Sequence, residues 1–310
     1  MKSLYDADDV FGFNDLYPSR QAAIAMMTSR GFVAEFNILL QCYAHALIRR
    51  RHLYVDFRRF PMSWADVFDT RVREVTACHE RDYPERVFLG KKGDRVAWES
   101  MRVDIHRAAL FEIAYEIPEL EFAGRLESLC ALLAQALFRP VSAVISSCEK
   151  AMRELGLDAA PFSAIHVRRG DKVDSRPQAD GRVIAEGEFV PLEIYIDKLK
   201  AVAPTVSTVF VMTDDYAVYD QAQARFSDFR FVTLCPPASQ GYSHVDYAAA
   251  DGDHKLRSSR AVLADMVIAS RAEAFVGVYR SNVSLLIHLL RYGSRGRSAS
   301  ADSLSRWVPM

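Results

Sequence analysis

The sequence has no paired-cysteine pattern. Its five cysteines, Cys42, Cys78, Cys130, Cys148 and Cys235, are odd in number, far apart and without Cys-x-x-Cys spacing, which argues against a disulfide framework or a thiolate zinc site and fits a reducing cytoplasm. There is also no charge excess. Lys and Arg total 39 against 40 Asp and Glu, so neither nucleic acid nor an anionic membrane is expected as a partner. Long hydrophobic runs are missing too: the apolar stretch over residues 22–47 is broken by Ser29, Arg30, Gly31 and Glu35, and the N-terminus turns acidic at Asp6 without an apolar signal core. Neither a membrane span nor a signal peptide is expected. No repeat or long low-complexity segment is present. What is present is a chain of 310 residues, 50% hydrophobic, enough for one large α/β domain or two ordinary ones with a substantial core.

Turn residues at 156–161, Gly-Leu-Asp-Ala-Ala-Pro, divide the chain into expected domains 1–158 and 159–310. In the first, Gly31 precedes a periodic apolar stretch (Phe36, Leu39, Leu40, Tyr43, Leu47) that reads as a helix, followed by a strand at residues 52–57. Helical patterns are read over 98–115 and 120–155, the second with a break at Pro140. The second domain alternates strands at 162–167, 208–212, 229–234 and 274–278 with helices at 191–202, 215–226, 257–270 and 282–292. A loop is expected over 235–255. This βαβ rhythm predicts a parallel Rossmann-like sheet.

Ligands of such sheets bind beyond the carboxyl ends of the strands, which directs attention to three places. The first is His166-Val167-Arg168-Arg169-Gly170-Asp171-Lys172, where alternation sets His166 and Arg168 on one side and a guanidinium could clamp a diphosphate. A plain ion pair of Arg168 or Arg169 with Asp171 accounts for the same residues. The second is Tyr279-Arg280-Ser281-Asn282, between an apolar strand and an apolar helix, where backbone N–H groups and the helix end favour an anion and Ser281 serves a phosphate or simply caps the helix. The third is Asp265, a carboxylate among Val262, Leu263, Ala264, Met266, Val267 and Ile268. If buried it needs a partner, and guanine offers adjacent N–H donors; if exposed it belongs to a solvated helix face.

On these segments, with Thr213-Asp214-Asp215 after a Val-Phe-Val-Met strand and the sixteen-residue interval from Asp265 to Ser281, the chain resembles the GDP-fucose-dependent α-1,6- and nodulation-fucosyltransferases. The resemblance is specific over residues 164–290 and weaker over 30–68, where Gly31, Glu35, Phe36 and Asn37 and the Trp64 to Phe68 segment look like the family's first lobe. It implies an α/β, GT-B-like fold of two Rossmann-like lobes, with the donor nucleotide in the C-terminal lobe and the acceptor on the side of the first. His166 and Asp265 would hold the base, and Arg168 and Ser281 the diphosphate. Arg169, Asp171, Asp214, Asp215, Asn282 and Gly31 would complete the donor site.

The family's chemistry implies an inverting, metal-independent transfer of fucose from GDP-fucose to a glycan hydroxyl, with no cofactor. Its base is a glutamate shortly before Phe-x-Pro. Glu186-Gly187-Glu188-Phe189-Val190-Pro191 makes Glu186 the match, with Lys172 assisting, while a long polar loop keeps Asp174, Asp180 and Glu188 in competition. Gly170 stands where the family commonly has threonine. The paired acids Asp214 and Asp215 lack Asp-x-Asp spacing; Asp251-Gly252-Asp253 has it, but in an expected loop rather than at a strand end. Another GDP-sugar as donor, or a silent nucleotide- or glycan-binding module, are the alternatives.

Overall fold

The computed structural model describes residues 21–28, 31–70, 72–75, 85–89, 114–173, 189–293 and 297–302. Two compact units emerge, residues 1–141 with 308–310, and residues 142–307.

The first unit centres on β1 (Gln21–Met26), which pairs in parallel with β2 (His52–Asp56) and β3 (Glu85–Leu89). Between β1 and β2 runs α1 (Phe32–Ile48), capped at Gly31 and buried along nearly its whole length. Burial on every side explains why its sequence is apolar beyond a single stripe. Glu35 is fully buried in its first turn. Its two oxygens accept from the Thr28 N–H at 2.6 Å and the Thr28 hydroxyl at 2.7 Å, tying the end of β1 to the helix. Phe36 packs between Trp64, Phe68 and Phe138, with ring centroids 5.1 to 6.0 Å away. An antiparallel pair, β4 (Ala114–Ile117) and β5 (Phe122–Arg125), turns through Pro118–Leu120 and leads into α2 (Leu126–Leu137).

The helices read over 98–115 and 120–155 therefore need correction. Residues 98–113 lie outside the described residues, Ala114–Ile117 and Phe122–Arg125 are strands, and the remainder is two helices, α2 and α3 (Ser142–Glu154), parted at Pro140. Proline has no N–H to continue the ladder, and Pro118 and Gly124 favour the turn and strand over helix.

Among the described residues the second unit holds five parallel strands: β6 (Ser163–Val167), β7 (Thr208–Thr213), β8 (Arg230–Val232), β9 (Ala274–Gly277) and β10 (Arg297–Ser300), in the order β10-β9-β6-β7-β8. Every residue of β6 is buried, as expected of a central parallel strand covered on both faces. On one face, α5 (Leu192–Val202) sets Leu192, Tyr195, Ile196 and Leu199 against Ile165, Val167, Val209 and Val276. On the other, α8 (Gly252–Arg271) packs on β6, β7, α3 and α9 (Asn282–Arg291). Because α3 lies along α8, the division between units falls at Val141/Ser142, ahead of the turn residues at 156–161.

The remaining helices are α4 (Gly170–Val173), α6 (Tyr216–Arg225) and α7 (His244–Ala249). The loop expected over 235–255 thus contains α7 and the start of α8. Asp251 caps α8, accepting the His254 N–H at 2.6 Å, so its Asp-x-Asp spacing belongs to a helix start. Among the described residues no helix is long and apolar enough to cross a membrane.

Candidate active site

The chain leaves β6 through β7 and β8 to one side, then returns to place β9 and β10 on the other. The crevice of such a sheet opens past the ends of β6 and β9, where the winding reverses. Of the residues singled out in the sequence, those following β6, β7 and β9 lie at this end of the sheet.

Arg168, just beyond β6, donates from Nη2 to Asp171 Oδ1 at 2.9 Å, and its Nη1 lies 3.2 Å from Asp214 Oδ2. Its guanidinium sits over the Tyr242 ring, 4.6 Å from the centroid. The ion pair with Asp171 is thus real, and it does not preclude anion binding. Among the described residues these two contacts account for two of the five N–H groups of the planar guanidinium.

The carboxylates that orient Arg168 are themselves held by the segment from Ser239 to His244. Asp214 accepts the Arg169 N–H at 2.7 Å and the Tyr242 N–H at 3.0 Å, and its carbonyl accepts the Gly241 N–H at 2.9 Å. Asp171 accepts the His244 N–H at 2.7 Å and donates its own N–H to the Tyr242 carbonyl at 3.0 Å. Gly170 (φ +46°) and Gly241 (φ +98°) allow this close approach. A Cβ on Gly170 would fall 2.6 Å from the Tyr242 nitrogen and nearer still to its carbonyl oxygen. Burial, and secondarily Tyr247, raises the Tyr242 hydroxyl pKa, with Arg168 opposing. Arg169 directs its guanidinium away, donating to the Val190 carbonyl at 3.0 Å and lying over Phe189.

His166, at the end of β6, is 4% exposed. Burial first, then the charge of Arg168, pushes its pKa down to about 4, against a smaller pull from Asp214. Its Nδ1 lies 2.7 Å from Ser284 Oγ on α9. Ser281 caps α9, its hydroxyl oxygen accepting the Ser284 N–H at 3.4 Å, and Asn282 is the first helical residue. The turn before it differs from expectation. Tyr279 and Arg280 donate their N–H groups to Ser300 Oγ (3.0 Å) and Asp302 Oδ2 (3.3 Å), and Ser281 donates to the Val278 carbonyl. These three amides brace the turn, which leaves anion binding to the helix end and side chains.

Asp265, on α8, is half-buried rather than fully solvated, and its Oδ1 is buried with no hydrogen-bond partner among the described residues. Burial raises its pKa to about 7. The pKa of Cys235, just past β8, is raised chiefly by burial, with smaller contributions from the charges of Asp265, Asp214 and Asp215. Asp215 caps α6, accepting the Ala217 N–H at 3.0 Å, so its expected donor contact has a local competitor. Lys172 contributes its backbone to α4. Gly31 caps α1 in the first unit. Glu186, Glu188, Asp174 and Asp180 lie outside the described residues.

Tyr242, Ser284, Ser300 and Asp302 were not singled out in the sequence. Each acts across tens of residues, and no local pattern announces such pairing; the one signal was Ser284, a polar residue two positions beyond Asn282 ahead of the apolar run Leu285-Leu286-Ile287.

A family model described as alpha-(1,6)-fucosyltransferase N- and catalytic domains matches residues 129–294. No curated protein sequence matches the chain. Among solved structures, NodZ α-1,6-fucosyltransferase soaked with GDP-fucose is similar with a TM-score of 0.50 at 17% identity, covering 87% of this chain and 92% of that one. Fucosyltransferase NodZ from Bradyrhizobium gives 0.51 at 16%, covering 87% and 93%. A mutant of Arabidopsis thaliana FUT1 in complex with GDP gives 0.50 at 12%, covering 87% and 68%. At these identities the structural likeness speaks to the fold, which is the GT-B-like α/β fold of fucosyltransferases. With more than half its length matched by the family model, the chain belongs to the α-(1,6)-fucosyltransferase family and is a glycosyltransferase.

Proposed function

We propose that the enzyme transfers fucose from GDP-fucose to a glycan hydroxyl by a single inverting displacement, without a metal ion. The observation that carries the donor assignment is Asp265 Oδ1, buried without a hydrogen-bond partner among the described residues on a helix that packs on β6 and β7. An orphaned carboxylate costs stability unless a ligand supplies donors. The N1–H and N2–H of guanine are an adjacent pair of the required kind, and adenine and uracil lack that pair. The ligands named in the NodZ and FUT1 complexes, GDP-fucose and GDP, support the same reading.

Arg168 and the capped end of α9 at Ser281 supply positive potential for the departing diphosphate. In the displacement, the acceptor oxygen bonds to the anomeric carbon and the bond from that carbon to the β-phosphate oxygen breaks, its electron pair leaving with GDP. The acceptor proton passes to a base, which we assign to Glu186, with Lys172 assisting. The first unit serves the acceptor side, and the second unit binds the nucleotide. Four of the cysteines are buried free thiols, in keeping with a cytoplasmic setting.

The test is calorimetric titration with GDP, ADP and UDP, followed by transfer assays with GDP-fucose and GDP-mannose over a panel of glycans. GDP should bind at least about tenfold more tightly than the others, the scale of one well-made buried hydrogen bond to a charged group; preference for UDP would overturn the Asp265 assignment. Glu186→Gln should keep GDP binding and lose transfer. Turnover with GDP-mannose alone would move the sugar assignment, and GDP binding with no turnover on any glycan would leave a recognition module.

A further inference from the structure

We propose that Ser284 is a positioning residue that holds His166 as the neutral tautomer protonated on Nε2, so that His166 meets the nucleotide strictly as a hydrogen-bond donor. The inference rests on the donor-site reading for its functional part and on hydrogen-bond bookkeeping for the tautomer. Ser284 is fully buried and His166 nearly so. The Ser284 oxygen already accepts the Val278 N–H at 3.2 Å, a bond whose direction is fixed because an amide can only donate. The hydroxyl has one hydrogen to place, and its one remaining hydrogen-bond contact among the described residues is His166 Nδ1 at 2.7 Å.

Two arrangements are possible. If Nδ1 carried the proton, the serine oxygen would accept twice and its own hydrogen would be buried without an acceptor, an outcome that folded proteins avoid. If the serine donates, every group is satisfied: Val278 N–H to Oγ, Oγ–H to Nδ1, and the imidazole proton on Nε2. Burial and the neighbouring Arg168 keep the ring neutral, which is what makes a single tautomer meaningful.

The backbone is shaped around this serine. A Cβ on Gly277 would come within 2.7 Å of Ser284 Cβ and closer to its hydroxyl, so Gly277 leaves the space into which Ser284 fits. The Ser281 cap, through the Ser284 N–H, ties the same residue to the end of α9. One serine thereby links the end of β6, the end of β9 and the start of α9. The chemical consequence is polarity: Asp265 takes protons from the ligand while His166 gives one. Guanine, with carbonyl O6 and N7 acceptors on one side and N1–H and N2–H donors on another, suits such a pair, whereas the amino group of adenine would oppose a donor with a donor.

The experiment is a long-range 1H–15N correlation spectrum of the full-length chain labelled with 15N-histidine, with His166 assigned by its loss in His166→Asn. The expected result for the free protein at neutral pH is an unprotonated Nδ1 and a protonated Nε2. Ser284→Ala should mix or invert the tautomers, and Ser284→Cys, a weaker donor of similar size, should restore the Nε2–H form in part. Protonated Nδ1 in the wild type, or a tautomer indifferent to Ser284→Ala, overturns the inference. GDP titrations separate this from the site itself. Ser284→Ala should weaken GDP binding about tenfold, and the double variant with His166→Asn should be no weaker than His166→Asn alone. If the tautomer is as stated but His166→Asn binds GDP like the wild type, the donor-site assignment fails while the role of Ser284 on the ring stands.

Discussion

At the scale of single residues, the site combines an acid that resists ionisation with a base that resists protonation. The folded chain raises Asp265 from 3.8 to about 7 and lowers His166 from 6.5 to about 4. For Asp265 the native state binds the proton more tightly than the unfolded chain between those values, so its contribution to stability falls as pH rises from about 4 to 7. For His166 the unfolded chain binds the proton more tightly, so stability falls as pH drops from 6.5 to 4. The two trends oppose each other in unfolding experiments. They do not oppose each other in binding, because guanine requires ionised Asp265 and His166 stays neutral throughout. GDP affinity should therefore rise with pH up to about 7 and level off, with a limiting slope of about tenfold per unit below it. Asp265→Asn should bind more weakly at pH 8 and lose that part of the slope, while any slope remaining belongs to the diphosphate. Identical pH profiles for wild type and Asp265→Asn, measured by calorimetry from pH 5.5 to 8, would disprove the role of the acid.

At the scale of elements, the segment from Ser239 to His244 decides whether Arg168 is a clamp or a loose side chain. Its grip comes from backbone bonds to Asp171 and Asp214 and from the approach of Gly241 to Gly170. Introducing the threonine that the resemblance leads one to expect at position 170 should be harmful here. Gly170→Thr places a β-branched residue at φ +46° and drives its Cβ into Tyr242, costing on the order of 1–3 kcal/mol in strain. GDP affinity should fall by about tenfold or more while the transition of far-ultraviolet dichroism on heating stays cooperative; wild-type affinity in Gly170→Thr would show that the segment does not position Arg168. None of this could be read locally, since each bond joins residues tens of positions apart. The strands β6, β7 and β9 could be read, because apolar runs buried on both faces leave an unmistakable pattern. The β4–β5 pair could not: Tyr115, Ile117, Leu120 and Phe122 satisfy a helical period as well as a strand's, and the punctuation was Pro118 and Gly124. The short, polar β10 carries no apolar signal at all, yet Ser300 and Asp302 at its end brace the turn before Ser281.

At the scale of the whole molecule, each unit has its own sheet and its own buried core, so a defect in one need not be felt in the other. Arg291 provides the means to ask. It is 3% exposed, and burial lowers its pKa to about 10. It donates to the carbonyls of Ser270 (3.1 Å), Ala272 and Glu273 (3.1 Å), and to Ser298 Oγ (3.3 Å). These are the orphan acceptors at the end of α8 and the start of β9, joined to β10, and a single guanidinium satisfies them. Arg291→Met retains the volume and removes the donors, leaving several buried carbonyls unpaired at about 1–3 kcal/mol each. The loss should total on the order of 3–5 kcal/mol, in the range seen when a buried charged partner is removed. If the two units unfold as separate cooperative bodies, amide hydrogen exchange in β6, β7 and β9 should accelerate by two to three orders of magnitude on the scale of about 1.4 kcal/mol per tenfold. Exchange in β1, β2 and α1 should be unchanged. Equal acceleration in both sets of amides would mean that the chain unfolds as one body, and that the lobe holding Arg168, Asp265 and Ser281 has no stability of its own.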